Sequence, residues 1–219
     1  MEGVAVYTAI FGGYDYLKEQ PLIPGVDYVC FTDDPGLTAP GWRVIVGKAR
    51  HLHPRLSAKW YRTHPHRVLS AYRRSIYIDG SVQILTPDFV PAMLAALGNR
   101  DMALFQHPDR HNVRDEAEFC VPIEKYRGQP MVAQVDHYAA LGFPDQSGLY
   151  ATGLIARRHR TRTMRRFGRA WMQENVRWTY QDQLSAPYLF WKFGITPGVV
   201  PNNLWDNPLF TLIAHTSEL

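Results

Sequence analysis

The sequence predicts an α/β layered domain with a mostly parallel sheet. Three observations lead there. Short β-branched and aromatic runs recur from the N-terminus onward, and they alternate with longer segments of helical spacing, as strand–helix–strand units do. Glycine, proline and aspartate gather at the joints between runs, where turns need them. The chain has 219 residues, 46% apolar and 20% charged, which can enclose a sizeable core and is unlike a disordered tail. No internal repeat or linker-like stretch interrupts it, so residues 1–219 read as a single domain.

Taken in order, Val4–Ile10 is a β-branched run entering the loop Phe11-Gly12-Gly13-Tyr14-Asp15, which reads as a buried strand followed by a glycine turn. Residues 27–32, closed by Asp33-Asp34-Pro35-Gly36, form a second strand, and 42–47 a third. Residues 55–72 are helical but broken at His64-Pro65, because a residue before proline avoids the α region. Residues 75–78 are a fourth strand that ends on Asp79-Gly80-Ser81. A helix over 88–97 stops at Gly98, and a further strand covers 102–105. Pro130 opens a helix that ends near Gly142. Residues 149–156 are extended, and the arginine-rich segment after them is helical through about Asn175. The stretch 181–193 is a helix with Gly194 as its stop, while 197–219, rich in Pro and Asn, reads as irregular.

Two cysteines, Cys30 and Cys120, with no CxxC pair, cannot build a disulfide framework and point to a reducing compartment. No apolar run approaches the roughly 18 residues that span a bilayer. Met1-Glu2-Gly3-Val4 lacks the basic and apolar regions of a signal peptide. The expectation is a soluble, cytoplasmic protein. Its formal charge of +4 is concentrated in Arg157, Arg158, Arg160, Arg162, Arg165, Arg166 and Arg169, without which the chain would carry −3. Such a patch suits phosphates on a nucleotide, a nucleic acid or an anionic membrane; a solvated helix face is the plainer alternative.

In open α/β sheets, ligands bind outside the carboxyl ends of the strands. Two strand ends here carry chemistry. At Thr8 to Asp15 the glycines let the backbone approach a ligand, and Tyr14 offers a ring for a base. At Asp79-Gly80-Ser81 a carboxylate follows an apolar strand. Taken singly, the first has the plain reading of a turn and the second of a helix cap.

The blocks Tyr7-Thr8-Ala9-Ile10-Phe11-Gly12-Gly13-Tyr14-Asp15, Phe31-Thr32-Asp33, Ala58-Lys59-Trp60-Tyr61 and Tyr77-Ile78-Asp79-Gly80-Ser81 occur in that order. Thr152-Gly153-Leu154-Ile155, Gln181-Asp182-Gln183-Leu184-Ser185, Asn203-Leu204-Trp205 and His215-Thr216 follow. Together they resemble the TOD/MUCI-type glycosyltransferase-like domain over about residues 4–216. The resemblance implies a GT-A fold, a Rossmann-like sheet flanked by helices, and transfer of a sugar from a nucleotide-sugar donor to an acceptor hydroxyl. The block order is also similar to that of the glycogenin-like galactosyltransferases. That likeness makes Lys59 a basic contact to the donor, Asp79 the first carboxylate of a DxD-like motif, Asp182 and Gln183 the catalytic, acceptor-side pair, and His215 a metal ligand. Thr8, Ala9, Phe11, Tyr14, Asp33, Arg55, Arg62 and Gly80 complete the expected donor side. His107, Arg110 and Gly153 fall on the acceptor side.

Ser81 departs from the DxD pattern, which often places a second Asp there. A donor diphosphate leaves with charge that must be neutralised. Mn²⁺ or Mg²⁺ does so by bridging both phosphates, with Asp79, His215 and weakly Ser81 as protein ligands; an imidazole favours Mn²⁺. With one carboxylate the ion is expected to arrive with the donor. In a metal-independent site, Arg55, Lys59 and Arg62 hold the phosphates instead. The Asp-Gln pair leans toward retention of configuration; inversion would make Asp182 the base.

Two rival readings remain. The arginine segment suits a protein that binds nucleic acid or anionic lipid and whose sugar site has decayed, or a transferase that reaches a polyanionic acceptor. His51, His53, His64, His66, His107 and His111 raise a metal-dependent amide or ester hydrolase, though no HExxH motif accompanies them.

Overall fold

The computed structural model describes residues 3–216. Met1 and Glu2, on which the leader reading partly rests, and the end of the irregular stretch at 217–219 lie outside the described residues. The N-terminal half holds strands β1 (Val4–Ile10), β2 (Val26–Thr32) and β3 (Trp42–Val46), helices α1 (Pro54–Thr63) and α2 (Pro65–Val68), then β4 (Arg74–Ile78) and β5 (Val82–Ile84). There follow α3 (Phe89–Leu97), β6 (Met102–Gln106), α4 (Val113–Cys120), a 3-10 turn and α5 (Met131–Ala140). The chain then forms β7 (Tyr150–Arg157), α6 (Arg162–Arg177), α7 (Ser185–Phe193), β8 (Gly198–Val199) and β9 (Phe210–Leu212).

The main sheet has the order β3-β2-β1-β4-β7-β6-β8. Every strand runs in one direction except β7, which pairs antiparallel with both β4 and β6. This is the mixed α/β, mostly parallel sheet flanked by helices that the sequence predicts. β1 is buried along all seven residues because neighbours pair with both edges and both faces are covered, so its sequence is a continuous apolar run without alternation. Its side chains still alternate between faces. Ala5, Tyr7, Ala9 and Phe11 join a core with Phe167, Trp171 and Leu189, whereas Val4 and Val6 join another with Phe89, Met93 and Phe210.

Local signals explain the helix positions. His53 caps α1 by accepting the Arg55 amide at Nδ1, with Pro54 in the first turn. Thr161 caps α6 by accepting the Met164 amide. Met164, Phe167, Gly168, Trp171, Met172 and Asn175 recur at helical spacing and form the buried face of α6. The helix expected over 181–193 begins only at Ser185, because residues 181–184 spend their backbone and side-chain groups elsewhere. Two short strands also stand within the stretch read as irregular: β8 joins the edge of the main sheet, and β9 pairs with β5. That small ladder, extended by the Ile213 amide donating to the Ser81 carbonyl at 2.7 Å, brings the C-terminal segment back across the end of β4.

Arg157 is not part of the basic surface expected at 157–169. It is buried, and its guanidinium donates to the Tyr7 hydroxyl and the Arg62 carbonyl. Arg158 donates to the Gly98 carbonyl. Arg160, Arg162, Arg165, Arg166 and Arg169 are exposed and together line an open hollow at the start of α6. Because β7 runs against its neighbours, α6 begins at the amino edge of the parallel strands, away from their carboxyl ends. No helix among the described residues is long and apolar enough to cross a membrane.

Gly168 sets the separation of α6 and α1. A Cβ there would enter the van der Waals envelope of the Thr63 carbonyl oxygen. Gly168→Ala should therefore push the helices apart and cost about 1–3 kcal/mol of stability, read as a lower midpoint in urea denaturation. An unchanged midpoint would show that the contact is soft.

Candidate active site

The carboxyl ends of β1, β4 and β6 meet the start of antiparallel β7 at one sheet edge. A cleft of about 260 Å³ opens there. It runs from Tyr14 after β1, past Asp79 after β4 and Gly153 in β7, to His107 after β6 and Trp205 after β8. Lys59 and Arg62 reach it from α1, and Asp182 and Gln183 from the segment before α7.

Asp79 is placed by the sheet. Its amide donates to the Gly153 carbonyl at 2.8 Å, and its carbonyl accepts the Val82 amide at 3.0 Å. The Tyr77 hydroxyl donates to Oδ1 at 2.7 Å. Oδ2 faces Gly153, which has no side chain to cover it. Burial opposes the charge on Asp79, but Arg62 and Lys59, aided by the Tyr77 hydroxyl and His215, outweigh it and hold the carboxyl below its usual range. The carboxylate faces the cleft and, among the described residues, caps no backbone amide.

Beneath it lies a charged cluster. Asp182 Oδ2 accepts from Lys59 Nζ at 2.7 Å and from Arg62 Nη1 at 2.9 Å, while Oδ1 accepts from the Thr152 hydroxyl at 2.8 Å. Arg62 and Asp182 are each only 2% exposed. The Arg62 guanidinium lies 4.8 Å from the Tyr77 ring centre and 5.6 Å from that of Trp171, and it donates to the Thr152 carbonyl. Arg157 stands behind it, so three cations share this interior with two carboxylates. Such an excess of buried positive charge favours an incoming anion. Burial, and then repulsion from Arg62, push the Lys59 ammonium down to about 8, with Asp182 and Asp79 pulling the other way. Lys59 therefore carries its charge below that pH and loses it above.

The remaining expected donor residues divide. Tyr14 lines the cleft; burial, with Asp79 and Asp15 nearby, pushes its phenol up, so it stays a hydrogen-bond donor, here to the Ala9 carbonyl at 3.3 Å. Arg55 lines the cleft near the Tyr180 ring. The side chains of Thr8, Ala9 and Phe11 are buried, and Phe11 stacks on Tyr61 at 5.0 Å, so any contact to a ligand here falls to the backbone of the strand end and its loop. The reason is the continuous burial of β1. Asp33 is exposed and accepts the Gly12 amide with both oxygens, at 2.9 and 3.1 Å, pinning the glycine loop. Gly12 and Gly13 both have positive φ, 76° and 65°, which is why glycine occupies them. Gly80 does not line the cleft; it leaves room for Asp15, whose carboxylate would be 3.0 Å from an added Cβ.

On the other side, His107 lines the cleft but acts as a turn cap, its Nδ1 accepting the Asp109 and Arg110 amides at 3.2 and 3.1 Å. Burial lowers its pKa. Arg110 stays outside the lining and pairs with buried Glu116. Gln181 and Gln183 donate to the same Glu116 oxygen at 2.6 and 3.2 Å. Tyr77, Thr152, Gln181 and Trp205 also line the cleft; each stands in one of the sequence blocks above but was given no role of its own, and Tyr180 joins them from outside those blocks. Their signal was membership of those blocks; Tyr180 carried none.

Of the expected metal ligands, Asp79 and His215 face the cleft. Ser81 does not line it, since its backbone is committed to Ile213. His215 Nδ1 lies 2.5 Å from Oδ2 of Asp15, which also pairs with Lys18. Among the described residues no three His, Cys, Asp or Glu side chains converge as a metal cluster. An ion would find two protein donors, Asp79 and His215, and would need the rest from a ligand. The histidine-based hydrolase gains no support. His53 caps α1, and His64, held near 4 by burial, stacks on Trp60 at 5.0 Å.

A mostly parallel α/β sheet thus presents, at the strand ends where such sheets bind ligands, a carboxylate framed by buried cations. The chain belongs to the TOD1/MUCI70 glycosyltransferase-like domain family, whose model matches residues 1–214. His215 lies just beyond that match. Among solved structures, the chain is similar to one titled as the apo form of the bifunctional glycosyltransferase WbbM, with 10% identity and a TM-score of 0.47. The likeness covers 88% of this chain and 37% of that one, so the chain spans well under half of that protein's length. No curated protein matches it.

Removing Arg62 should expose how tightly the cluster is balanced. Arg62→Met strips one of two cations from a buried carboxylate, and breaking such a pair costs about 3–5 kcal/mol. Chemical denaturation should show that loss. A cost below 1 kcal/mol would mean that Lys59 alone neutralises Asp182.

Proposed function

We propose that the chain works as one GT-A-like domain and transfers a sugar from a nucleotide-sugar donor to an acceptor hydroxyl. The observation that carries this reading is the open carboxylate of Asp79 set against Lys59 and Arg62 at the strand ends. In it, the donor diphosphate lies over Asp79, and the nucleoside extends toward Tyr14 and the glycine loop after β1. Arg55 and Lys59 face the phosphates, while Arg62 acts from below through Asp182. Asp79 and His215 would hold a divalent ion, Mn²⁺ or Mg²⁺, that arrives with the donor; when bound, it neutralises charge on the departing diphosphate.

The geometry favours retention over inversion. A base that takes the acceptor proton needs a free oxygen, and both oxygens of Asp182 are engaged. Gln183 faces the cleft with its amide nitrogen spent on Glu116. The pair therefore lies beside the reacting centre as polar support. The buried thiols of Cys30 and Cys120 fit work in the cytoplasm.

The five exposed arginines favour an additional contact. They lie toward the sheet edge remote from the cleft, so they suit peripheral binding to an anionic membrane or nucleic acid, or to a distant part of a polyanionic acceptor, while the chemistry proceeds elsewhere.

A thermal-shift screen of UDP-, GDP- and CDP-linked sugars, with and without Mn²⁺, tests the donor. One donor at a hundred times its Kd should raise the Tm by about 5–10 °C. Asp79→Ala should abolish transfer while keeping the fold. Silence across the panel, or turnover undiminished in that variant, would contradict the proposal.

A further inference from the structure

Trp205 stands at the end of the cleft opposite Tyr14 and is 59% exposed. It is held in place. The indole Nε1 donates to both carboxylate oxygens of Asp109, at 3.1 and 3.2 Å. Its amide donates to Asn203 Oδ1 at 2.7 Å. Asp109 is anchored in turn, because its own amide donates to His107 Nδ1. β6 and β8 are parallel neighbours, so the loops that follow them emerge side by side and brace each other through this contact. Fixing a large side chain costs rotamer freedom, and leaving its face in water forgoes apolar burial. A pinned, uncovered aromatic face at a cleft mouth is what a stacking ligand needs.

A nucleobase or a sugar ring can stack there, and strand order separates them. β4, with Asp79 at its end, lies between two groups of strands: β1 to β3 on one side, and β7, β6 and β8 on the other. Tyr14 and the glycine loop follow β1, whereas Trp205 follows β8. With the diphosphate at Asp79 and the nucleoside toward β1, Trp205 is left to the acceptor. A pyranose ring offers a C–H face to the indole and a rim of hydroxyls to a carboxylate such as Asp109.

We propose that Trp205, fixed by Asp109, is the stacking platform of the acceptor subsite and that the acceptor is a carbohydrate whose terminal ring covers the indole. The assignment to the acceptor, and with it the choice of a sugar over a base, rests on the donor reading above; that the held, exposed indole takes a stacking ring does not.

Protein labelled with 5-fluorotryptophan gives a ¹⁹F resonance for each tryptophan, and Trp205→Phe identifies the signal of interest. Titration with maltotriose, cellotriose, xylotriose and chitotriose should move that signal saturably for at least one sugar, while UDP, GDP and CDP leave it unmoved. Trp205→Ala should weaken binding of that sugar at least tenfold by calorimetry. A signal that no sugar of the panel moves, one that a nucleotide moves, or unchanged affinity in Trp205→Ala would overturn the proposal. Nucleotide-sugar thermal shifts on the same samples separate the two readings. A sugar response without a donor shift sinks the donor assignment alone, and a donor shift without a sugar response sinks the platform alone.

Discussion

Asp182 binds two cations with one carboxylate, and the site is organised around that grip. Lys59 and Arg62 come from one face of α1, Thr152 from β7, and Asp182 from the chain just before α7. Without the carboxylate, α1 would present two positive charges to a nearly dry interior, which costs several kcal/mol per ion. With it, the charges are held but not cancelled. Arg157, behind the Arg62 peptide, tips the balance further toward positive. Asp79 is kept ionised by the same cations, so the open carboxylate and its supports depend on one another.

The sheet makes this arrangement possible. Parallel strands deliver successive loops to one edge, and the reversed β7 brings Thr152 and Gly153 to that edge from the opposite direction. The rear of the cluster is aromatic: Tyr7, Tyr77 and Trp171 surround the guanidinium groups with ring faces and hydroxyls. Gly168 lets α6 approach close enough to complete that wall. Helix packing far from the cleft therefore helps decide where the two cations of the cluster stand.

Much of this was legible in the sequence. The continuous burial of β1 follows from its unbroken apolar run, and the helix break from Pro65. Asp79 and Lys59 were found through ordered blocks that resemble a family. Side-chain partners were not legible. The span of 123 positions between Lys59 and Asp182 leaves no local pattern, and nothing beside Asp182 in the sequence marks it as the partner of two cations. Which way the Phe11 side chain faces was not legible, because a residue beside a glycine loop can face either core or cleft. β5, β8 and β9 are too short for periodicity, although β5 and β9 carry the C-terminal segment to the cleft. Glu116 was visible as a charge, but its burial under two glutamines and an arginine is a property of the tertiary structure.

The protonation of Lys59 reports most directly on whether this interior is primed for an anion. Its ¹³Cε shift, assigned with Lys59→Arg, can be followed against pH with and without inorganic pyrophosphate. The free protein should titrate near 8, and pyrophosphate should raise that midpoint as the added negative charge stabilises the ammonium. A midpoint near the ordinary 10.5 that ignores pyrophosphate would show that Lys59 is a solvated, uninvolved side chain.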